Sequence, residues 1–449
     1  MGKAMRDTAI RNLRLLSLPA LVAFSGPLWA QGYILDELSV RRLGDAFSGG
    51  AAEARDASTA YYNPAGLVRL TKPELVGGVA MLSNTLHFTG GATIASPGIN
   101  GGVTAVPGEG NVTHQSKDVV PNFYYAIPTP NKGAIGIAFN VPMASTIDMP
   151  KDSAIRYQNQ ESSLVGMRLT VSLAQSLTDQ LSVAMGFAIE RLDLENTTAF
   201  DSYSICSMLT LPNCGTPGDA SRDGRSKLEA DDLNWGFTFG TLYQIDDNTR
   251  VGASYRSRIR HDLEGDVHLS AYPQASAHRQ IRLVTDARLT MSSPASASLS
   301  VFHALTPRLN VQADATWTEW STFEALDVRT TLGINQRQPQ HWHNTWRLAV
   351  GGDYALTDRF TVRAGIDRDP TPIPKAYRTL SFPMETYIAG SLGASYAFSE
   401  ALSGDFALQR TLPFKSQTLD GNLVEQGGES RGESKGSTYS IGAGLRWRL

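Results

Sequence analysis

Apolar and polar residues alternate with a period of two over most of the chain after residue 72. In the final segment, apolar residues hold every odd position from Tyr439 to Leu449, and small or basic residues hold the even positions. The segments 249–260 and 359–367 alternate in the same way. Since successive side chains of a strand point to opposite faces, this pattern predicts β-strands with one apolar and one polar face.

The connections between these segments alternate between short turns and long polar loops. The short ones are rich in Asp, Asn, Pro, Ser and Thr, which favour tight turns. They lie at 128–131, 177–179, 245–248, 305–307, 356–358 and 398–400, and the long stretches lie at 91–114, 148–163, 196–231, 263–287, 322–341, 370–384 and 412–435. This layout implies about fourteen strands and is typical of an outer-membrane barrel.

The predicted fold is therefore all-β, a transmembrane antiparallel β-barrel of about 14 strands whose wall takes up residues 73–449. A soluble β-sandwich or β-helix would explain the alternation as well. Neither would explain the asymmetry between short turns and long loops, or a strand at the C-terminus.

Arginines and tryptophans indicate how the strands face the membrane. An arginine on the lipid face at mid-membrane would cost about 2–4 kcal/mol, so Arg256, Arg258 and Arg260 are expected to face the lumen. Tryptophans near the predicted strand ends are expected to form an aromatic girdle. These are Trp317, Trp320, Trp342, Trp346 and Trp447.

The N-terminal region has two parts that precede the wall. Residues 1–30 have the pattern of a secretory signal peptide, with early basic residues, the apolar run Leu15–Phe24 and a cleavage site after Ala30. Residues 31–72 are rich in Gly and Ala and lack strand alternation. We expect them to form an N-terminal hatch, or plug, inside the barrel.

Composition narrows the class of function. Charged residues make up 18% of the chain and the net charge is −3, which gives no reason to expect a nucleic-acid partner. No apolar run of about 20 residues follows the N-terminus, which excludes a helical membrane bundle. The two cysteines, Cys206 and Cys214, lie in one loop of an exported protein, and a local disulfide is expected. They are too few for a metal site, and no metal or other cofactor is expected.

Several short motifs resemble those of the FadL-type outer-membrane transporters of long-chain fatty acids and hydrocarbons, in the same order along the chain. They are Gly32-Tyr33, Leu43–Gly49, Asn63-Pro64-Ala65, Val120-Pro121-Asn122, Tyr255-Arg256-Ser257 with Asp262 and Gly265, and Asp369–Pro374. The resemblance implies a monomeric fourteen-stranded barrel with a hatch and a sideways exit for lipophiles at a kinked third strand. This chain departs from the family by ending in Leu449 rather than Phe.

The resemblance also implies substrate-binding residues. Tyr33 matches an aromatic residue beside the ligand, and Leu35 follows it in the same segment. Arg191 matches a lumen arginine that contacts the ligand head group, although a lumen salt bridge with Glu190 or Asp193 would also explain it. His343 stands where the family has a basic ligand contact, and a neutral histidine there favours a hydrocarbon over a fatty acid. The alternative is a histidine at the level of the girdle that contacts no ligand.

Two motifs are candidates for gating. Asn63, Pro64 and Ala65 end the hatch, and Asn63 is expected to hydrogen-bond strand backbone where the third strand is kinked. Pro142 cannot donate to a strand ladder, so a bulge and a sideways opening are expected near Asn140 and Pro142. The alternatives are a simple turn at Asn63 and a strand that ends at Asn140.

The sequence thus predicts passive uptake of long-chain fatty acids or related hydrophobic compounds, since no phosphate-binding GxxxxGK[ST] motif is present. The expected surroundings are outer-membrane lipid and lipopolysaccharide. The alternatives are a channel for aromatic or aliphatic hydrocarbons, or a general porin, which would lack the plug. An enzyme is not expected, because no nucleophile motif such as GxSxG is present. Adhesion through the long loops is a weaker alternative.

Overall fold

The structure is a computed structural model that describes residues 33–449 except 96–101, 209, 211, 272–280, 334, 380–381, 383–385, 413–416 and 424–427. The predicted signal peptide lies outside the described residues. Fourteen strands form one closed antiparallel barrel, as predicted. The barrel closes between its first and last strands, where Glu74 pairs with Arg448 and Ala92 with Ser430. None of the described helices is long and apolar enough to cross a membrane.

The wall strands are numbered β1 to β14, and a number covers two segments where a strand is interrupted. The first seven are β1 (Glu74–Ala95), β2 (Asn111–Thr129), β3 (Gly133–Asp148), β4 (Glu161–Ser176), β5 (Leu181–Phe200), β6 (Gly224–Gln244) and β7 (Thr249–Arg256, Ile259–Ala271). The others are β8 (Ile281–Ser293, Ser296–Ala304), β9 (Leu309–Thr318, Ala325–Thr330), β10 (Gln336–Pro339, Thr345–Ala355), β11 (Phe360–Asp369), β12 (Tyr387–Ala397), β13 (Leu402–Thr411, Gln417–Leu423) and β14 (Gly428–Arg448). A short strand, Val103–Ala105, pairs with β1 outside the wall.

Along the longer strands, the outer face changes from apolar to charged residues, and the inner face changes in the opposite sense. On β5, Met185, Phe187 and Ile189 are exposed on the outer face, whereas Arg191 further along that face forms ion pairs. The inner face of the same strand changes in the opposite sense, because Leu192 is fully buried in an apolar cluster. These strands therefore cross the membrane with an apolar exterior and continue beyond it with a charged exterior and an apolar interior.

This inversion corrects part of the arginine prediction. Arg256 faces inward below the interruption in β7, but Arg258 and Arg260 are exposed beyond the apolar belt and pair with Glu319 and Asp262. The interruption at 257–258 shifts the alternation by one residue and carries the next side chains to the other face. An outward arginine costs little there because it lies outside the apolar belt.

The plug, residues 33–70, lies inside the barrel wall, where Arg250 donates to the Ala52 carbonyl oxygen and Arg347 donates to the Ala46 carbonyl oxygen. It contains α1 (Val40–Leu43), α2 (Thr59–Tyr62) and the 3₁₀ helix Pro64–Arg69. The plug backbone approaches the wall closely at positions where the wall has glycine. A Cβ at Gly252 of β7 would lie 1.9 Å from the Ala51 carbonyl oxygen.

A buried charge network holds the plug together. Glu53 pairs with Arg41 at 2.5 Å and with Arg42 at 3.0 Å. Burial alone would raise the pKa of Glu53, but these two cations hold it well below its usual range. Burial and the negative charge of Glu53 raise the pKa of Asp45 to about 7, and Gln312 of β9 donates a hydrogen bond to Asp45 at 2.7 Å.

The outer loops are fastened to one another by Arg156. Its side chain is fully buried, pairs with Asp223 and donates to the carbonyl oxygens of Pro107 and Gly218. These partners come from loops that follow β1 and β5, whereas Arg156 lies in the loop after β3. Cys206 and Cys214 are joined in a disulfide beside them, in agreement with the sequence.

Candidate functional site

The wall opens between β2 and β3. The two strands pair from Thr129 and Gly133 up to Phe123 and Phe139, and the described residues show no paired register between them above that point. The upper part of β3 still pairs with β4, with a register shift between Asn140 and Met143. The strand therefore bends away from β2 at a bulge and continues to Asp148, so the alternative that it ends at Asn140 is wrong.

The opening is a window with two closed ends. Its lower end is the fork where the Phe123–Phe139 pairing stops. Its upper end is covered where Glu109 and Ser153 form a backbone bridge between the loops after β1 and β3. The outward side chains Val119 and Phe123 are exposed beside the fork, which indicates that the lower part of the window lies at the level of lipid.

The N-terminal segment of the plug occupies the place that β2 leaves. The Ala144 amide donates to the Tyr33 carbonyl at 3.0 Å, and the Leu35 amide donates to the Pro142 carbonyl at 2.9 Å. Ile34 lies opposite Met143 as an antiparallel bridge. Three residues of the plug thus act as a substitute strand for the kinked part of β3, since backbone groups away from water need partners.

The Tyr33 side chain fills an aromatic chamber above this segment. Its ring centroid lies 5.0 Å from that of Trp320, 5.7 Å from those of Phe323 and Trp342, and 6.4 Å from that of Phe382. Its hydroxyl donates to the Ser292 carbonyl at 3.0 Å. The chamber continues into the apolar interior of the tall strands, which includes Leu164, Leu192, Leu263, Val267, Leu289 and Met291.

A buried polar cluster lies at the base of the chamber. Glu190 of β5 pairs with Arg168 of β4 at 2.6 Å and lies 3.2 Å from His261 of β7. The other ring nitrogen of His261 lies 3.0 Å from Asp232 of β6. Ser293 donates a hydrogen bond to Glu190. Each carboxylate in this cluster thus has a basic side chain as its partner, and an unpaired charge would be costly to bury.

A lumen cavity connects the window with the interior above the plug. Its volume is about 80 Å³. Leu35, Pro142 and Met143 line it on the side of the window. Arg168, Arg256 and Arg347 line it with several polar side chains of β8 and β9.

The structure brings some of the predicted site residues together. Tyr33, Leu35, Asn140 and Pro142 meet at the window, from the plug and from β3. Arg191 is not among them, because alternation on β5 turns Glu190 inward and Arg191 outward to Asp193. The expected lumen position of Arg191 is therefore wrong, and the arginines that line the cavity are Arg168, Arg256 and Arg347.

His343 is exposed, whereas its neighbour Trp342 is buried in the aromatic chamber. Trp320 is buried there as well, so the girdle prediction is wrong for these two tryptophans and fits the exposed Trp346 and Trp447. Sequence reasoning assigned all the tryptophans by their distance from strand ends. Trp320 lies between the two segments of β9, and Trp342 lies between the two segments of β10. Both are next to the predicted long loop 322–341, and that location was the available signal.

The Asn63-Pro64-Ala65 motif contacts a different part of the wall from the one expected. Asn63 donates to the Thr241 carbonyl of β6 at 2.8 Å and to Ala51 within the plug at 2.6 Å. Ser182 of β5 donates to the Ala65 carbonyl at 2.9 Å. The motif starts the 3₁₀ helix and anchors the plug to β5 and β6. Asn63 thus bonds strand backbone as expected, but its expected bond to the kinked third strand is wrong.

Comparisons with known proteins agree with this architecture. A putative outer membrane protein of Neisseria meningitidis is 25% identical over 98% of each chain. The long-chain fatty acid transport protein of Escherichia coli strain K12 is 26% identical over 86% of this chain and 89% of its own. Among solved structures, a Pseudomonas aeruginosa FadL homologue has a TM-score of 0.81 at 24% identity and covers 93% of this chain and 99% of its own.

The Pseudomonas putida toluene transporter TodX shares the fold, with a TM-score of 0.70 at 16% identity, and covers 94% of this chain and all of its own. The family model described as outer membrane protein transport protein (OMPP1/FadL/TodX) matches residues 21–449. The chain therefore belongs to this family of outer-membrane transport proteins and lies in the outer membrane.

Proposed function

We propose that this protein takes up long-chain fatty acids or related hydrophobic compounds by passive diffusion and releases them sideways into the membrane. The observation that carries the proposal is the window between β2 and β3, filled by three residues of the plug. The filler is held to β3 by two backbone hydrogen bonds near Pro142. A segment attached in this way can leave without unfolding the wall.

The apolar interior beyond the membrane supports capture of a lipophile before it reaches lipid. Tyr33 occupies the aromatic chamber with a ring that a hydrophobic ligand can replace. Burial of apolar surface gains about 0.8 kcal/mol per methylene group, so a long acyl chain can compete with one tyrosine side chain. Displacement of Tyr33 would also strain the adjacent Ala144 hydrogen bond, because ring and carbonyl belong to the same residue. Ligand entry and opening of the window are thereby linked.

Uptake of aromatic or aliphatic hydrocarbons is the second candidate. The side chains around Tyr33 are Trp320, Phe323, Trp342 and Phe382, which suit an uncharged ligand. Arg168, at the base of the chamber, is already paired with Glu190. A carboxylate would therefore have to compete with a buried glutamate for this cation.

The full chain in vesicles with an outer leaflet of lipopolysaccharide tests the proposal. The measured quantities are the uptake rates of oleate, toluene and a small sugar, with protein-free vesicles as the blank. We expect uptake of at least one lipophile and exclusion of the sugar. Passage of sugar without either lipophile would overturn the transport proposal in favour of a general porin.

Removal of residues 31–70 tests the role of the plug. We expect this variant to pass the sugar, because the lumen then loses the body that fills it. A sugar flux that stays at the level of the complete protein would contradict the hatch. The ratio of oleate to toluene uptake in the complete protein decides between the two cargo classes.

A further inference from the structure

Two asparagines lie side by side at the fork where β2 and β3 separate. Phe123 and Phe139 are the last paired residues, and Asn122 and Asn140 follow them on the two diverging strands. Both asparagines lie on the inward face and are buried, Asn122 at 5% and Asn140 at 0% exposure. These two amides lie at the lower end of the window.

Each amide has a buried polar atom with no partner among the described residues. On Asn122 it is the side-chain nitrogen, a donor, and on Asn140 it is the side-chain oxygen, an acceptor. Buried polar atoms are nearly always hydrogen-bonded, so two such atoms on neighbouring positions call for an explanation. The other half of Asn140 is engaged, because its nitrogen donates to the Tyr124 hydroxyl at 2.7 Å.

The Tyr124 hydroxyl fixes this arrangement in turn. It donates to the Leu38 carbonyl of the plug, so the chain Asn140–Tyr124–Leu38 joins β3, β2 and the plug at the lower rim of the window. These hydrogen bonds hold the Asn140 side-chain amide in one orientation, in which its oxygen has no partner among the described residues. The fork therefore offers a fixed acceptor with a donor on the facing strand.

An apolar strip continues upward from the amides. Leu35 and Leu38 of the plug pack with Val120 of β2, Ala144 of β3 and Leu82 of β1. Val120 lies two residues beyond Asn122 on the same face, and Ala144 follows the bulge beyond Asn140. A polar pair at one end of an apolar strip has the pattern of an amphiphile, with the polar end at the fork and the apolar end along the window.

We propose that Asn122 and Asn140 form a subsite for the uncharged polar head of a long-chain amphiphile, namely a hydroxyl or a protonated carboxyl group. Such a head carries a donor and an acceptor at once, which matches the acceptor of Asn140 and the donor of Asn122. This inference rests on the proposed function and narrows its cargo. A hydrocarbon uses the window without using the subsite.

The test compares two cargoes of equal chain length, 1-hexadecanol and hexadecane, in one preparation of the full protein in lipopolysaccharide-containing vesicles. Asn122→Leu removes the donor and keeps a similar volume. We expect hexadecanol uptake to fall about 3- to 10-fold, the range for one lost hydrogen bond, while hexadecane uptake stays unchanged. The ratio of the two rates does not depend on how much of the variant is folded.

Asn84→Leu is the matched control, since Asn84 is a buried inward asparagine of β1 away from the fork and is bonded to Thr438. We expect it to leave the ratio unchanged. An equal loss of both cargoes in Asn122→Leu, or no loss of hexadecanol, would overturn the subsite and leave the transport proposal standing. A wild-type protein that carries neither cargo would overturn the transport proposal itself.

Discussion

Two of the interruptions in the barrel wall, one between β2 and β3 and one between β6 and β7, are built differently. Between β2 and β3, the strands separate above Phe123 and Phe139, and plug backbone occupies the space. Between β6 and β7, the paired register stops at Thr238 and resumes at Asp231. The wall bridges this second break with its own groups, because the Ser257 amide donates to the Phe237 carbonyl at 2.9 Å.

The interior behind the two interruptions differs as well. Apolar side chains such as Leu35 and Ala144 lie behind the window. His261, Asp232 and Glu190 lie behind the second break, in a buried and mutually paired cluster. A lipophile that enters the window buries apolar surface, which is favourable. To enter the break between β6 and β7, it would have to displace charged side chains. We therefore expect an interruption of the ladder to serve as an exit only where the interior is apolar and the filler is separable from the wall.

Locking the filler is expected to have the largest effect. Ile34 and Met143 lie opposite each other, and facing strand residues are close enough for a disulfide. The double variant Ile34→Cys with Met143→Cys should lose lipophile uptake when oxidised and regain it with a reductant. Phe239→Cys with Tyr255→Cys is the matched pair beside the second break, because these residues face each other on the outer surface of β6 and β7, and this variant should transport normally in both states. If the oxidised Ile34→Cys, Met143→Cys variant took up the lipophile at the wild-type rate, the window would not be the exit, and the proposed difference between the two interruptions would fail.

Loss of the charge behind the second break should destabilise the protein without opening a path. Glu190→Leu leaves Arg168 buried without its partner, and breaking one side of a buried pair costs about 3–5 kcal/mol. We expect a lower unfolding temperature and no increase in sugar leakage from the folded fraction. Leakage at an unchanged unfolding temperature would show that this break can also serve as a port.

A larger side chain in the wall where it contacts the plug should have a smaller effect. Gly252→Val places a side chain against the Ala51 carbonyl, and overpacking of this kind costs about 1–3 kcal/mol. Since 1.4 kcal/mol is tenfold in an equilibrium, sugar leakage should rise by about tenfold. Gly390→Val on β12 is the control, because a Cβ there meets no atom within 4 Å. Equal leakage in both variants would point to a general weakening of strands instead of the plug.

The smallest effect is expected from pH. Burial and Glu53 raise the pKa of Asp45 to about 7, so the docked plug keeps a proton that a free aspartate loses near pH 4. Docking should therefore weaken as pH rises between these values and level off above 7. Sugar leakage should be higher at pH 8 than at pH 5, and Asp45→Asn should remove the difference. The same pH slope in Asp45→Asn would exclude Asp45 as its source.

The barrel followed from the sequence because alternation and turn chemistry are local. The two-residue alternation and the six short turns were sufficient to predict the number of strands. Pro142 was sufficient to predict a kink in β3. The failures concern contacts between distant segments. Asn63 bonds β6 instead of β3, and Trp342 turns into the lumen, because the path of a long loop depends on packing that no single segment encodes.

Two further errors have a common cause. The interruption at 257–258 shifts the alternation of β7, and the outward face of β5 changes from apolar to charged at Arg191. Sequence reasoning assumed that one face keeps one character along the whole strand. Only a structure shows where a strand leaves lipid and enters water, since the same arginine is costly below that level and harmless above it.

The charged exteriors beyond the membrane also determine how deeply the barrel sits. Arg191, Arg260 and Arg288 are exposed on three of the tall strands, each with an acidic neighbour. Sinking the barrel by two residues, about 7 Å of strand, would press this collar toward the hydrocarbon, at up to about 2–4 kcal/mol for each arginine that reached mid-membrane. Raising it would expose Phe187 and Leu299 to water. These exposed ion pairs therefore limit how far the barrel can shift along the membrane normal, and they keep the fork at the depth of the lipid. The proposed sideways release requires this depth.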